Sequence, residues 1–340
     1  MKKFLSLVLC ALLLLSAISL VGCGGETEQD TTGDIEQNPE NTTTLQFGLG
    51  LYTEASATSA NVDANGQSKV TITLAAITVD ADGKVVACEI DTADNSVSHT
   101  ADGKAIAKES FSTKRELGYD YNMKNYGAPK EWFEQADAFE AVVAGKTLNE
   151  IKALVVDSDK GTDEVLTAGC TITINEFVLA IEKAFANLAE SNATADSALK
   201  IGVYTEQTGT DATVDANGQN KLETTIFAAA VDADGKIVAA SSDCVQTVFA
   251  FDTTGASLFD ATKPVSSKKE LGYDYNMKNY GAALEWFEHA AAFDALCVGK
   301  TAAEVGALLA ADNYGTDDVK AAGCTILVDG FVKAAVKIGY

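Results

Sequence analysis

The chain has 340 residues, with 25 Lys plus Arg against 49 Asp plus Glu for a net charge of −24, a 47% hydrophobic fraction and only two His. That length predicts roughly two domains of about 150 residues each, and the composition excludes collagenous, low-complexity and disordered classes. The acidic field would repel phosphate backbones, so no nucleic acid partner is expected, and His99 and His289 are too few for His-rich metal centres or two His-based active sites.

Lys2 and Lys3 precede an almost wholly apolar run from Phe4 to Val21, closed by Gly22 and Cys23. The charged start and apolar stretch predict an export signal over residues 1–22. A membrane anchor is the alternative, since spanning takes roughly 17–25 apolar residues. Leu20-Val21-Gly22-Cys23 resembles the lipobox of bacterial lipoproteins, which implies acylation of Cys23 and a lipid-anchored place in the cell envelope, on the outer surface of a membrane. Residues 23–46 are rich in Thr, Glu, Asp, Asn and Gly and predict a flexible acidic tether.

The remainder is a duplication. Val62 to Gln67 recurs as Val214 to Gln219, and Val79-Asp80-Ala81-Asp82-Gly83-Lys84 recurs as Val231 to Lys236. Further on, Glu116 to Ala128 returns unchanged as Glu270 to Ala282, and Ala168-Gly169-Cys170-Thr171-Ile172 as Ala322 to Ile326. The copies are placed at 47–190 and 200–340, each long enough to carry a core of its own.

Within a copy, Val70 to Val79 and Val85 to Ile90 flank Asp80-Ala81-Asp82-Gly83 and predict a β-hairpin. Trp132, Ala136, Phe139 and Val143 fall on one face of a helix over Glu131 to Ala144, and Trp286, Ala290, Phe293 and Cys297 repeat that face. Asn175 and Asp329 read as N-caps of a closing helix carrying Phe177, Ile181, Ala184 and Phe185 in the first copy. Strands followed by helices give two tandem α+β domains, each a hairpin-based antiparallel sheet packed with helices.

Cys88, Cys170, Cys244, Cys297 and Cys324 are odd in number and show no CxxC, which excludes zinc ribbons and attached c-type haem and predicts small buried side chains. The region of the other copy that answers His99 has no His, and His289 faces Gln135, so both are expected as surface groups. The Asp-rich strings lack the ladder of a calcium loop and are expected as turns. Glu116 to Ala128 sets three Tyr among glycines, either a platform for a planar ring or a tightly packed connection. No nucleophile and base pair recurs in both copies, so a non-enzymatic role is expected.

The order of these features resembles the FMN-binding domain family. Its hairpin motif is similar to Asp82-Gly83-Lys84-Val85 and Asp234-Gly235-Lys236-Ile237, its Gly-Lys step to Gly145-Lys146 and Gly299-Lys300, and its Ser-Gly-Ala-Thr motif to the segments ending in Thr171 and Thr325. The resemblance implies FMN as cofactor, joined to Thr171 and Thr325 by a flavin transferase, and an electron carrier serving a redox partner in extracytoplasmic electron transfer. Ala168 and Ala322 stand where the family has Ser, and Cys170 and Cys324 where it has Ala. The residues themselves read as a phosphate cradle: Gly169, Cys170 and Thr171, with Gly323, Cys324 and Thr325, form small-residue bends before a helix, and Lys146 and Lys300 offset the negative background. A flavin-free surface module that binds a small ligand or protein partner through the Tyr-rich strings is the alternative.

Overall fold

A computed structural model of the protein describes residues 44–339. Strands β1 (Gln46–Ala57), β2 (Gly66–Val79) and β3 (Val85–His99) form an antiparallel meander, with the two-residue β4 (Ala105–Ile106) at its edge. Five helices follow: α1 (Lys114–Leu117), α2 (Trp132–Val143), α3 (Leu148–Lys152), α4 (Asp163–Ala168) and α5 (Asn175–Ala186), before β5 (Ala189–Glu190) returns to the start of β1. The second copy repeats this plan with β6 (Ala198–Thr210), β7 (Gly218–Val231), β8 (Ile237–Phe251), α6 (Lys268–Leu271), α7 (Trp286–Cys297), α8 (Ala302–Gly306), α9 (Asp317–Ala321) and α10 (Asp329–Val336). The fold is α+β, with sheet orders β4-β3-β2-β1-β5 and β6-β7-β8. The hairpin turn is built as its Asp and Gly require: Asp80 Oδ1 accepts from the backbone of Asp82 and of Lys84, each at 2.9 Å, and Gly83 takes φ +75°.

Strand alternation sorts each sheet into two faces. Phe47, Leu49 and Leu51 of β1 and Val70, Ile72, Leu74 and Ala76 of β2 point one way, whereas Ala75, Ile77 and Val79 point towards the helices. The glycines between the β1 apolar residues let α5 lie directly on the strand. A Cβ on Gly48 would stand 2.3 Å from Ala184 O and one on Gly50 2.1 Å from Ala180 O. Gly202 repeats the arrangement on β6, with Ala334 O at 2.0 Å from an added Cβ. The helix-side cores include Trp132, Phe139 and Cys170 in the first copy and Trp286, Phe293 and Cys324 in the second.

The faces turned away from the helices pack on each other. A single cluster joins Leu49, Ile72, Leu74 and Val97 of the first sheet to Val203, Leu222, Ile226 and Phe249 of the second, and the described residues form one compact unit. Contacts across this junction are reciprocal. Ala60 N donates to Gly255 O and its counterpart Ala212 N to Gly103 O, both at 2.7 Å. Lys337 pairs with Glu116 at 2.7 Å, and Lys183 pairs with Glu270 in the same way. Gly103 and Gly255, at φ +70° and +69°, each lie against the other copy's turn, and neither place has room for a Cβ. Equivalent patches meeting each other is the geometry of an isologous dimer interface, here inside one chain.

His99 and His289 correct the expectation of surface groups: both are 1% exposed. His99 lies at the junction, its ring stacked on that of Phe251, its counterpart, at 4.3 Å between centroids and 1° between planes, with Nε2 3.0 Å from Gly255 O. His289 sits on the buried face of α7 because its position is three residues past Trp286, within the apolar stripe. Asn175 and Asp329 are the first helical residues, one place after the N-caps Ile174 and Val328. Among the described residues the five cysteines are free, with Cys170, Cys244, Cys297 and Cys324 buried.

Because the two sheets share one core, the copies are expected to unfold together. In Trp132→Phe and Trp286→Phe backgrounds, each keeping one fluorescent reporter, urea should give the same midpoint. Ile226→Ala, which opens a cavity in the shared cluster, should lower both midpoints by the equivalent of about 2–5 kcal/mol; a shift confined to the second-copy reporter would show independent domains.

Candidate functional site

The bends that sequence places under a phosphate follow α4 and α9. Gly169 ends α4 at φ +106°, a left-handed conformation that glycine supplies, and Gly323 adopts φ +108°. Cys170 and Cys324 turn inward, fully buried, and burial pushes both thiols up to about 11. Thr171 and Thr325 turn outward and are exposed. Gln135 Oε1 accepts from both the backbone N–H and the hydroxyl of Thr171, each at 2.9 Å. In the second copy His289 takes that place, Nδ1 lying 3.0 Å from Gly323 O and 3.4 Å from Thr325 N. The two bends also differ at Lys130, whose Nζ lies 3.5 Å from Ala168 O and whose counterpart is Leu284.

Lys146 is held elsewhere. Its ammonium pairs with Glu164 in the first turn of α4 at 2.9 Å, while Thr171 follows the other end of that helix. The backbone of Lys146 and of Lys300 instead closes a bridge to the sheet: Val85 N donates to Lys146 O at 3.0 Å and Ile237 N to Lys300 O at 2.8 Å. The structure therefore brings Gly169, Cys170 and Thr171 together with Gln135, and Gly323, Cys324 and Thr325 with His289, but draws Lys146 away. Gln135 and His289 escaped sequence reading as site neighbours, although their i+3 spacing from each Trp was the available signal. Cys23 lies outside the described residues.

The Tyr-rich segment has one geometry in both copies. Gly118–Tyr121 and Met123–Tyr126 are single 3₁₀ turns joined by Asn122 at φ +65° and closed by Gly127 at φ +90°; Asn276 and Gly281 take +63° and +90°. Buried carboxylates pin it. Glu131, at the start of α2, accepts from Met123 N at 2.7 Å and Lys124 N at 3.4 Å, and Glu285 accepts from Met277 N and Lys278 N at the same distances. Upstream, Asp91 accepts from Arg115 N at 3.1 Å and Asp243 from Lys269 N at 3.1 Å, tying the segment's leading helix to the sheet.

The three tyrosines divide by role. Tyr121 and Tyr275 pack against the helix-side cores, where Lys114 lies 5.3 Å from the Tyr121 ring and 5.5 Å from that of Trp132, and Lys268 5.1 and 5.4 Å from Tyr275 and Trp286. Tyr119 and Tyr273 are 69% and 70% exposed and Tyr126 and Tyr280 88% and 89%, so the segment is neither wholly platform nor wholly packing. Tyr119 and Tyr273 rest edge-on against Phe133 and Phe287, both at 5.2 Å, which fixes their orientation.

The lysine beneath this segment keeps an anionic partner by different means. In the first copy Lys114 faces Asp94 at 3.5 Å, opposite Thr71 on the neighbouring strand. In the second copy the carboxylate has crossed to that neighbouring strand: Glu223 lies 2.6 Å from Lys268 and stands opposite Gln246. A buried ammonium left alone would be costly, so the carboxylate changes strand while the pair persists.

Among the described residues, no cluster of His, Cys, Asp and Glu could hold a metal ion, and no helix is long and apolar enough to cross a membrane. No protein-family model, no curated protein and no solved structure matches the chain.

Burial pushes the Asp91 carboxyl up from 3.8 to about 6, against the hydrogen bonds it accepts from Thr113, Arg115 and Thr92. A carboxyl whose folded value is raised favours folding most when protonated, so this contribution is lost as pH rises from about 4 to about 6. Asp91→Asn should flatten the decline of the urea midpoint over that interval; a profile identical to the wild type would remove Asp91 as its source.

Proposed function

We propose that this chain is an extracytoplasmic binding protein, tethered through Cys23, that presents two copies of one rigid tyrosine-bearing surface to a small ligand or a protein partner. The carrying observation is the pairing of identical sequence with identical exposed geometry in Glu116 to Ala128 and Glu270 to Ala282. Buried positions elsewhere differ between the copies, as at Val143 and Cys297, yet the solvent-facing tyrosines are the same and are held by the same buried carboxylates. Packing explains Tyr121 and Tyr275. It gives no reason for Tyr126 and Tyr280, whose rings stand almost fully in water. Amphipathic aromatic side chains on a pre-ordered segment are suited to recognition, because little ordering entropy is lost on contact, and two such surfaces on one body would strengthen attachment to a repetitive target.

The test is binding to an array of envelope glycans and peptides. Tyr126→Ala combined with Tyr280→Ala should lose the wild-type signals while changing stability by no more than about 0.5 kcal/mol, as exposed substitutions do. Signals that persist in the double variant would overturn the proposal.

A flavin-carrying reading keeps one specific support: Thr171 and Thr325 are exposed residues, next after a buried Cys and a glycine at positive φ, although the Thr171 hydroxyl donates to Gln135 Oε1. In that reading FMN is attached through phosphoester bonds and the two flavins relay electrons to a redox partner. Protein made together with a flavin transferase should then gain the mass of two FMN groups, one being lost in Thr171→Ala and the other in Thr325→Ala. Unchanged wild-type mass would remove covalent attachment.

A further inference from the structure

The second copy contains a cavity at a place where the first copy has a side chain. It measures ≈ 270 Å³ and is bordered by Tyr204, Thr225, Lys268, Trp286, Gly330 and Phe331. The first-copy counterpart of Gly330 is Glu176, and that of Thr225 is Thr73. There Glu176 Oε2 accepts from the Thr73 hydroxyl at 3.2 Å. At Gly330 there is no side chain, and a Cβ added to it would stand 2.8 Å from Thr225 Oγ1. The carboxylate that meets this threonine in one copy is thus missing in the other.

Charge changes in the same sense. Tyr52 in the first copy has burial, Glu54 and Glu176 pushing its hydroxyl up to about 12. Its counterpart Tyr204 receives a hydrogen bond from Lys333 at 3.1 Å, where the first copy has Leu179. Asp329, in place of Asn175, pairs with Lys333 at 3.0 Å. The exchange of Leu179 and Asn175 for Lys333 and Asp329 is neutral, and so is that of Asp94 and Thr71 for Gln246 and Glu223, which puts the Glu223 carboxylate on the cavity lining, paired with Lys268 at 2.6 Å; among these positions the loss of Glu176 is the one uncompensated change, a single negative charge. The start of α10 beside Gly330 has no side-chain cap, as is also true of α5 in the first copy.

We propose that this cavity binds a small carboxylate of amino-acid size, whose carboxylate takes the position that Glu176 occupies in the first copy. It accepts from the Thr225 hydroxyl, with Lys268 and Lys333 as the nearby cations, each shared with a carboxylate of the protein, Glu223 and Asp329 respectively, and its hydrocarbon part lies against Trp286 and Phe331. The volume of ≈ 270 Å³ corresponds to about nine waters and lies just under the roughly 300–1,000 Å³ of sites for drug-sized molecules. Glu206, at the lining of the same cavity, offers an anionic partner to an α-ammonium group, so amino acids fit better than plain acids. The exposed tyrosines take no part, and failure here leaves the binding reading above standing.

Calorimetric titration of the purified chain with L-leucine, L-leucinamide and isovalerate tests this. Leucine is expected to bind with one site per chain, and leucinamide, which lacks the carboxylate, at least about tenfold more weakly. Isovalerate binding as tightly as leucine would retain the carboxylate site and assign it to plain acids; weaker isovalerate binding would assign it to amino acids. Gly330→Glu restores the first-copy side chain and should abolish binding with an unchanged circular dichroism spectrum. Should that variant not fold, Thr225→Val removes only the hydroxyl and should weaken leucine about tenfold. No heat from leucine or isovalerate at millimolar concentration, equal affinity for leucine and leucinamide, or undiminished binding by the folded variants would overturn the proposal.

Discussion

The packing of one three-stranded meander on the other is the constraint from which the rest of the molecule follows. β2 and β7 are covered on both sides, by helices on one and by the opposite sheet on the other. A single copy would expose Leu49, Ile72 and Leu74 or Val203, Leu222 and Ile226 to water, a patch far larger than isolated surface apolar residues make. With the central faces committed to each other, each helical layer has only its outer side and its loops available for contact. The tyrosine segments and the bends after α4 and α9 belong to those helical layers, and the second-copy cavity lies between the helices and the strands β6, β7 and β8.

Much of the local structure was legible in sequence because it rests on periodicity and turn chemistry. The hairpin around Asp80 to Gly83 and the helix behind Trp132 have repeating patterns that depend on nothing distant. The junction was not legible. In β2 apolar residues stand on both faces from Leu74 to Val79, so that run signals burial without saying what covers each side. His99 was misjudged for the same reason: what buries it is Phe251 and the turn at Gly255, more than 150 residues away in sequence. His289 was misjudged although its spacing was visible, since a polar residue inside an apolar stripe was weighed by its type and not by its position.

The candidate site was legible in part. The small-residue segments before the last helix form bends with outward threonines, as their glycines predict, but Lys146 is drawn off by Glu164, a partner chosen by the folding of α4. The tyrosine string stood out by identity between copies, yet only its fold separates Tyr121, which packs, from Tyr126, which does not. The cross-strand exchange of Asp94 for Glu223 could not be seen without register, because the two residues occupy different places in the aligned copies.

The stacked rings of His99 and Phe251 carry an evolutionary implication. In a symmetric homodimer a residue on the rotation axis meets only itself, so any substitution there happens twice and must suit its own image. Joining the subunits end to end lifts that condition, and an imidazole can then face a phenyl ring. The same liberty reaches away from the axis: once one half secures the assembly, the other can discard a side chain such as the Glu176 carboxylate and leave a vacancy, which a protein made of two equal chains would have had to open on both sides or on neither.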